Sequence, residues 1–447
     1  MAKLHLITYG CQMNEYDSER VAGLLRAQAY ELTENEADAD LILLNTCAIR
    51  EKAEDKVYSK LGQLRAVKAR RPDVIVGVMG CMAQLHQAEI RRRAPIVDLV
   101  FGSPAIGKVA TLVDRVKRER RPIVETGEAP LVKITARPDG APRLRAYVTV
   151  MEGCEKHCTF CVVPTTRGRE RSHAPEAILD EIRGLVAEGC REVTLLGQTV
   201  NAYGRDLMPP TDLAALFERV DGVDGLARIR FTTSNPYNLT SRLIRALRDV
   251  PKVCEYFHLP LQSGSDRMLE RMNRGYTRAR YLALIDELRA AVPDIALSTD
   301  LIVGFPGETE EDFAATLDMV ERVGYDNVFA FRYSPRPGTP AATMPAQVPA
   351  EVKAERNSRL LEVTGRVAAA RSRRLEGRAV EVLVDGRSKK NDAEVSGRTR
   401  CNRVVNFHGE GRVAIGDVVQ VRVTEALPHS LRGTLVSLRE DAECFSR

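Results

Sequence analysis

Three cysteines stand close together at Cys154, Cys158 and Cys161, spaced x3 and x2, directly after Gly153. Three thiolates this near one another in a loop hold a metal or an iron–sulfur cluster. Structural zinc takes four ligands, so three leave one position open. On a four-iron cluster the same three leave one iron free for an outside ligand. His157 adjoins Cys158 and would have to turn back sharply to serve as a fourth ligand. Cys11, Cys47 and Cys81 are far apart in the chain, yet each closes a strand-like run: Thr8-Tyr9-Gly10-Cys11, Asn45-Thr46-Cys47 and Met79-Gly80-Cys81. That pattern puts all three at the carboxyl edge of one parallel sheet, where open α/β folds bind ligands. Three thiolates arriving there imply a second cluster, again with one open iron. The alternative is three buried cysteines, a common core residue. Cys190, Cys254, Cys401 and Cys444 have no partner at ligand spacing.

The elements around these cysteines define the fold class as α/β. Apolar runs at Lys3–Tyr9, Leu41–Leu44 and Val74–Met79 alternate with helical patterns at 14–30, 50–71 and 83–93. Continuous apolar strands between helices read as a parallel sheet covered on both faces. A second alternation has strands at 145–151, 192–196, 228–232, 256–259, 296–303 and 328–333. Six βα units read as a partial (β/α)6 barrel, whose sites lie at the C-terminal ends of the strands. A helix follows over about 350–376. Short β runs at 379–384, 404–407, 418–423 and 433–438, separated by turn residues, read as a small antiparallel β-barrel. The domains expected are 1–120, 140–372 and 374–440, with the charged, proline-rich stretch 117–143 as a linker.

Composition agrees with a globular chain: 447 residues, 44% apolar and 28% charged. Ten cysteines fit a reducing compartment, where disulfides are rare. The apolar runs are too short for a membrane helix and the first residues have no leader pattern, so a cytoplasmic chain without a membrane partner is expected. The net charge is +5, and residues 371–422 alone carry twelve Lys/Arg against seven Asp/Glu. A local basic excess is the footprint of a polyanion partner, although a solvated face explains it equally well.

Phe160 completes a Cys-x3-Cys-x-aromatic-Cys pattern, which resembles the radical S-adenosylmethionine (SAM) enzymes. Further stretches are Tyr9-Gly10-Cys11-Gln12-Met13-Asn14, Asn45-Thr46-Cys47-Ala48-Ile49-Arg50-Glu51-Lys52-Ala53, Met151-Glu152-Gly153-Cys154, Val162-Val163-Pro164 with Arg167-Gly168, and Arg398-Thr399-Arg400 with Arg403-Val404-Val405-Asn406-Phe407. With these the chain resembles the methylthiotransferases over nearly its whole length, and their tRNA-modifying branch in particular. Thr165 and His173 depart from that branch's usual residues.

The resemblance implies an N-terminal domain with an auxiliary cluster, a radical SAM core and a C-terminal TRAM domain that binds RNA. It implies two [4Fe-4S] clusters, on Cys154, Cys158 and Cys161 and on Cys11, Cys47 and Cys81, together with SAM. The implied reaction replaces C2–H by C2–S–CH3 on N6-isopentenyladenosine beside a tRNA anticodon. An aromatic C–H of this kind is inert to bases, which is why a radical is needed. Gly197, Gln198 and Asn201 follow the second strand and are placed to hold the methionine end of SAM. Ser234, Gln262 and Asp300 are placed to reach its ribose. Each is equally a packing residue of a βα turn. Lys389, Lys390, Arg398, Arg400 and Arg403 offer phosphate contacts, while Phe407 either stacks on a base or points into the barrel. The expected partners are a tRNA anticodon stem-loop and an electron donor such as flavodoxin, with a monomeric enzyme. The rivals are a methylthiotransferase acting on a ribosomal protein or on threonylcarbamoyladenosine tRNA, and a non-catalytic RNA-binding or cluster-assembly protein.

Overall fold

A computed structural model of the chain describes residues 1–48, 51–127, 143–388, 391, 393–409 and 411–438. Ile49, Arg50, Lys389, Lys390 and Cys444, and most of the expected linker, lie outside the described residues.

The N-terminal unit is a parallel sheet of six strands in the order β2-β1-β3-β4-β5-β6. These are β1 (Ala2–Tyr9), β2 (Tyr30–Leu32), β3 (Leu41–Thr46), β4 (Ile75–Met79), β5 (Leu99–Phe101) and β6 (Ile123–Glu125). β3 and β4 are buried at every position, as strands covered on both faces must be. The expected helix 14–30 ends at Arg26, so Tyr30 begins an edge strand. The expected helix 83–93 is two helices, Cys81–His86 and Ala88–Arg93, broken at Gln87 where φ is +47°. Part of the supposed linker belongs to this unit, because a helix runs to Glu119 and β6 pairs with β5.

The central unit has β7 (Arg145–Thr149), then a short antiparallel pair, β8 (Met151–Glu152) with β9 (Arg171–Ser172). Parallel strands β10 (Glu192–Leu196), β11 (Arg228–Phe231), β12 (Tyr256–His258), β13 (Ala296–Val303) and β14 (Asn327–Arg332) follow. β7, β10 and β11 form one half and β12, β13 and β14 the other. A parallel bridge from Ile229 to Val253 joins them. The six-stranded partial barrel therefore stands as expected, with β7 and β14 at its two edges. Met13 and Tyr16, on the helix Gln12–Arg26, pack with Leu196 and Tyr147 and so cover the β7 edge.

The third unit is a closed barrel in the order β15-β16-β17-β19-β18. Its strands are β15 (Ala379–Arg387), β16 (Val395–Thr399), β17 (Val404–His408), β18 (Val418–Ala426) and β19 (Leu431–Leu438). It differs from an all-antiparallel barrel in one pairing, since β17 and β19 run parallel. Phe407 is 1% exposed and packs inside, so it does not stack on a base.

Two of the arginines expected to meet phosphate instead fasten this barrel to the core. Arg400 donates to Glu255 at 2.7 and 2.8 Å and to the carbonyl of Val253 at 2.6 Å. Arg403 donates to Asp326 at 2.7 Å and to Ser372 at 2.6 Å. Arg398 turns toward Asp385, 3.8 Å away, and Asn402. Core arginines reach the other way. Fully buried Arg228 donates to Glu381 and to the carbonyl of Arg398 at 2.7 Å, and Arg230 donates to the carbonyls of Thr399 and Arg400. Arg230 also pairs with Glu192 at 2.9 Å. Removing one member of a buried pair strands the other charge, which costs about 3–5 kcal/mol. Arg228→Ala should therefore lower the melting temperature and expose the chain near Glu376 to limited proteolysis. An unchanged melting curve and digestion pattern would show that the clamp is dispensable.

Candidate cluster and cofactor sites

Cys11, Cys47 and Cys81 follow β1, β3 and β4, three adjacent strands, as the sequence leads one to expect. The backbone at their ends is tied by buried amides. Asn14 donates to the Asn45 side chain at 3.0 Å, and Asn45 donates to the Asn14 carbonyl at 2.7 Å and to Ser18 at 2.9 Å. Gly80, with φ +90°, lets the chain turn into Cys81; a Cβ there would meet Asn45 Oδ1 at 2.3 Å. A hydrogen bond with Cys47 brings the Cys11 thiol down to about 5, against the opposing effect of burial. The charge of Arg167 and the backbone at Asn14 and Met13 reinforce this lowering.

Cys154, Cys158 and Cys161 lie between β8 and the helix Val163–Arg167. Donors surround their sulfurs. The Arg274 Nη1 donates to Cys158 at 3.1 Å, Lys156 N–H to Cys154 at 3.4 Å, and Val163 N–H to Cys161 at 3.4 Å. Thr199 Oγ1 is 3.4 Å from Cys154. Burial pushes the Cys161 thiol up to about 12 and raises that of Cys154. Coordination removes such protons outright, and N–H donors then support the thiolates. Among the described residues no three His, Cys, Asp or Glu side chains converge on one point as a lone ion requires. A four-iron cluster takes each thiolate on a different iron, so its ligands surround a volume instead. The donor chemistry of both sets suits such clusters.

The positions expected to hold SAM divide by what their side chains already do. Gln198 accepts from Gly153 N–H and so steadies the cysteine loop. Asn201 spends both ends of its amide on the backbone of Asn235, at 2.9 and 2.8 Å. Gly197 is small for packing, since a Cβ would meet Met151 Cγ at 2.6 Å. Ser234 is buried with an unpartnered Oγ, so it retains a hydrogen bond for a ligand. Gln262, at φ +75°, exchanges backbone bonds with Asp300 and Ile302. Asp300 lies 3.5 Å from His258, which contacts Ser298 at 2.9 Å; Ser298 in turn contacts Tyr256 at 2.7 Å. Tyr256, His258 and Arg274 carry no spacing signal in the sequence and gain their positions only through the fold.

Two buried ion pairs join the cysteine sites. Asp17 accepts from Arg167 at 2.6 Å, and Glu152 accepts from Arg20 at 3.0 Å. Asp17 and Arg20 lie on the helix that starts after Cys11; Glu152 precedes Cys154, and Arg167 follows Cys161. Burial pushes the Asp17 carboxyl up to about 6, against the pull of Arg167. Burial also opposes ionisation of Glu152, but His173 and the charges of Arg20 and Arg167 outweigh it and hold that carboxyl down at about 2.

The fold and its cysteine loop define a radical SAM protein: residues 148–320 match the Radical SAM superfamily model. Residues 3–102 match "Uncharacterized protein family UPF0004" and residues 373–436 the TRAM domain. In overall structure the chain is similar to the radical S-adenosylmethionine methyltransferase TsrM of Kitasatospora setae. The TM-score is 0.56 at 13% identity, covering 76% of this chain and 75% of that one. It is also similar to the cobalamin-dependent radical enzyme OxsB, with a TM-score of 0.52 at 15% identity, over 82% of this chain and 56% of that one. The chain belongs to the family of tRNA-2-methylthio-N(6)-dimethylallyladenosine synthases. It is 48% identical to the protein of that name from Moorella thermoacetica, over 96% of this chain and 98% of the relative. It is likewise 48% identical to the one from Methylococcus capsulatus, over 99% and 98%. This membership makes the chain an enzyme that uses SAM and [4Fe-4S] chemistry.

The glycine after β10 gives a direct test of the packing beneath the cysteine loop. Gly197→Ala forces Met151 aside close to its own backbone, an overpacking that costs about 1–3 kcal/mol. Its melting temperature should fall, and Met151→Ala in the same chain should restore part of the loss. A neutral Gly197→Ala would show that the loop has slack.

Proposed function

We propose that this enzyme methylthiolates C2 of N6-isopentenyladenosine in the tRNA anticodon loop, giving the 2-methylthio product. The observation that carries the proposal is that Cys11, Cys47 and Cys81 follow three adjacent parallel strands, and that Arg167, on the helix after Cys161, pairs with Asp17 on the helix after Cys11. When bound, the two [4Fe-4S] clusters and SAM supply the radical that attacks C2 and the sulfur and methyl group installed there. In the proposal Cys154, Cys158 and Cys161 hold one cluster, and Cys11, Cys47 and Cys81 hold the other. Ser234, in the loop after β11, and Asp300, on β13, offer polar groups to SAM. Gln198, Gly197, Asn201 and Gln262 shape the loops around it. Arg274 steadies Cys158. The closed barrel contributes RNA binding through surface other than Arg400 and Arg403, which are engaged inside the protein. A monomer acting in the cytoplasm with a donor such as flavodoxin completes the proposal.

Iron content tests the cluster assignment. Anaerobically reconstituted protein should carry about eight irons, four per site. Cys→Ala at 154, 158 and 161 together should halve the iron and abolish release of 5′-deoxyadenosine. The same change at 11, 47 and 81 should halve the iron yet leave that release measurable. Full iron in either triple variant sinks the assignment.

Substrate choice tests the rest. An apolar pocket for the isopentenyl group gains ~0.8 kcal/mol per buried carbon, enough to favour the modified loop by about tens- to hundreds-fold. Anticodon stem-loops with and without the group, and a ribosomal protein, should be assayed by mass spectrometry side by side. Equal turnover of the plain loop refutes the pocket, and methylthiolation of the protein alone refutes the tRNA reading.

A further inference from the structure

Arg167, at the end of the helix that follows the radical SAM cysteine loop, carries a charge that acts on Cys11 of the other cysteine set. Its side chain is 3% exposed and its Nη2 is committed to Asp17. Its Nη1 is buried with no hydrogen-bond partner, as is Asp17 Oδ1. A buried donor without a partner forfeits its hydration with nothing in return, so an unfilled guanidinium position calls for an acceptor. The surroundings point to the neighbouring cysteine set. Val162, one residue before Arg167's helix, packs against Cys81 and Ala48. After Asp17, the groups whose negative charge Arg167 feels most are Cys81 and Cys11. No carboxylate other than Asp17 comes within salt-bridge distance of it among the described residues.

We propose that Arg167 is the hydrogen-bond donor for a small anionic sulfur species, hydrosulfide or methanethiolate, held at the Cys11, Cys47 and Cys81 site. The inference rests on the reading of a cluster with an open iron there. A guanidinium cannot lose its proton in a protein, so it is a permanent donor and a permanent positive charge. Charge-assisted hydrogen bonds are about twice as strong as neutral ones, and low surrounding dielectric strengthens them further. Asp17 acts as the positioning residue. It holds Nη2, leaves Nη1 free, and partly offsets the charge.

Asp17 and Arg167 form one ion pair, so a purely structural role predicts that removing either has the same effect. Anion binding predicts opposite effects. The full chain, anaerobically reconstituted and saturated with SAM to occupy the other cluster, is titrated with sodium hydrosulfide and separately with methanethiolate. Binding is read from the electron paramagnetic resonance of the reduced second cluster. Arg167→Gln should keep its iron and weaken both anions tenfold or more. Asp17→Asn should bind them as tightly as the parent or tighter. The double variant removes both charges with little change of shape, and should weaken binding as Arg167→Gln does. It also decides the matter if Arg167→Gln alone fails to fold. Unchanged affinity in Arg167→Gln or the double variant, or equal weakening in Asp17→Asn and Arg167→Gln, overturns the proposal. A parent protein with about four irons instead of eight overturns the cluster reading itself. An effect on one anion only assigns the site to that species.

Discussion

The structure depends on a buried electrostatic contact between the helix Gln12–Arg26 and the loop that carries Cys154, Cys158 and Cys161. Apolar packing alone would hold the N-terminal sheet against the β7 edge, but such contact is non-directional. Asp17 with Arg167 and Arg20 with Glu152 are directional, and each unit gives one acid and one base. Burying four charges is expensive, and an apolar interface of the same volume would be as stable or more so. What the charges add is registration. The first residues beyond Cys11 are fixed to the residues immediately before Cys154 and after Cys161. Two sites on different sheets thus acquire one geometry.

A second charged interface follows the same logic at the other end of the core. Arg228, Arg230, Arg400 and Arg403 cross between the partial barrel and the closed barrel, meeting Glu381, Glu255, Asp326 and backbone carbonyls. The basic excess of the C-terminal segment is therefore partly internal wiring. The β16–β17 turn, where Thr399 and Arg400 offer carbonyls to Arg230, is anchored in the core. The closed barrel is consequently held in a fixed position against the radical SAM strands.

Much of this was legible in the sequence because the signals were local. Long apolar strands such as Leu41–Thr46 and Ala296–Val303 announce themselves, and cysteine spacing needs no third dimension. Strands β2, β5 and β6 are only three residues each, too short for a period to show. Arg400 looked like a phosphate ligand because Glu255 lies 145 positions away. Nor could the sequence show that both ends of the Asn201 amide meet the backbone of Asn235, on the next loop. Polar residues near a strand end are ambiguous until the fold shows which of their hydrogen bonds are already made.

The same accounting separates the two buried arginines that attend the cysteines. Arg274 spends its nitrogens on Cys158, Tyr276 and the Pro260 carbonyl. It neutralises part of a thiolate's charge, and each of its three nitrogens already donates to the protein. Arg167 is shared differently: Asp17 takes one nitrogen, another has no partner, and Cys81 and Cys11 lie close enough for their charge to act on the guanidinium. Where each nitrogen of a guanidinium already donates, it stabilises what the protein contains. Where one nitrogen is buried and unpartnered, its unspent hydrogen bond is available to something that arrives, which in the proposal above is a small sulfur anion.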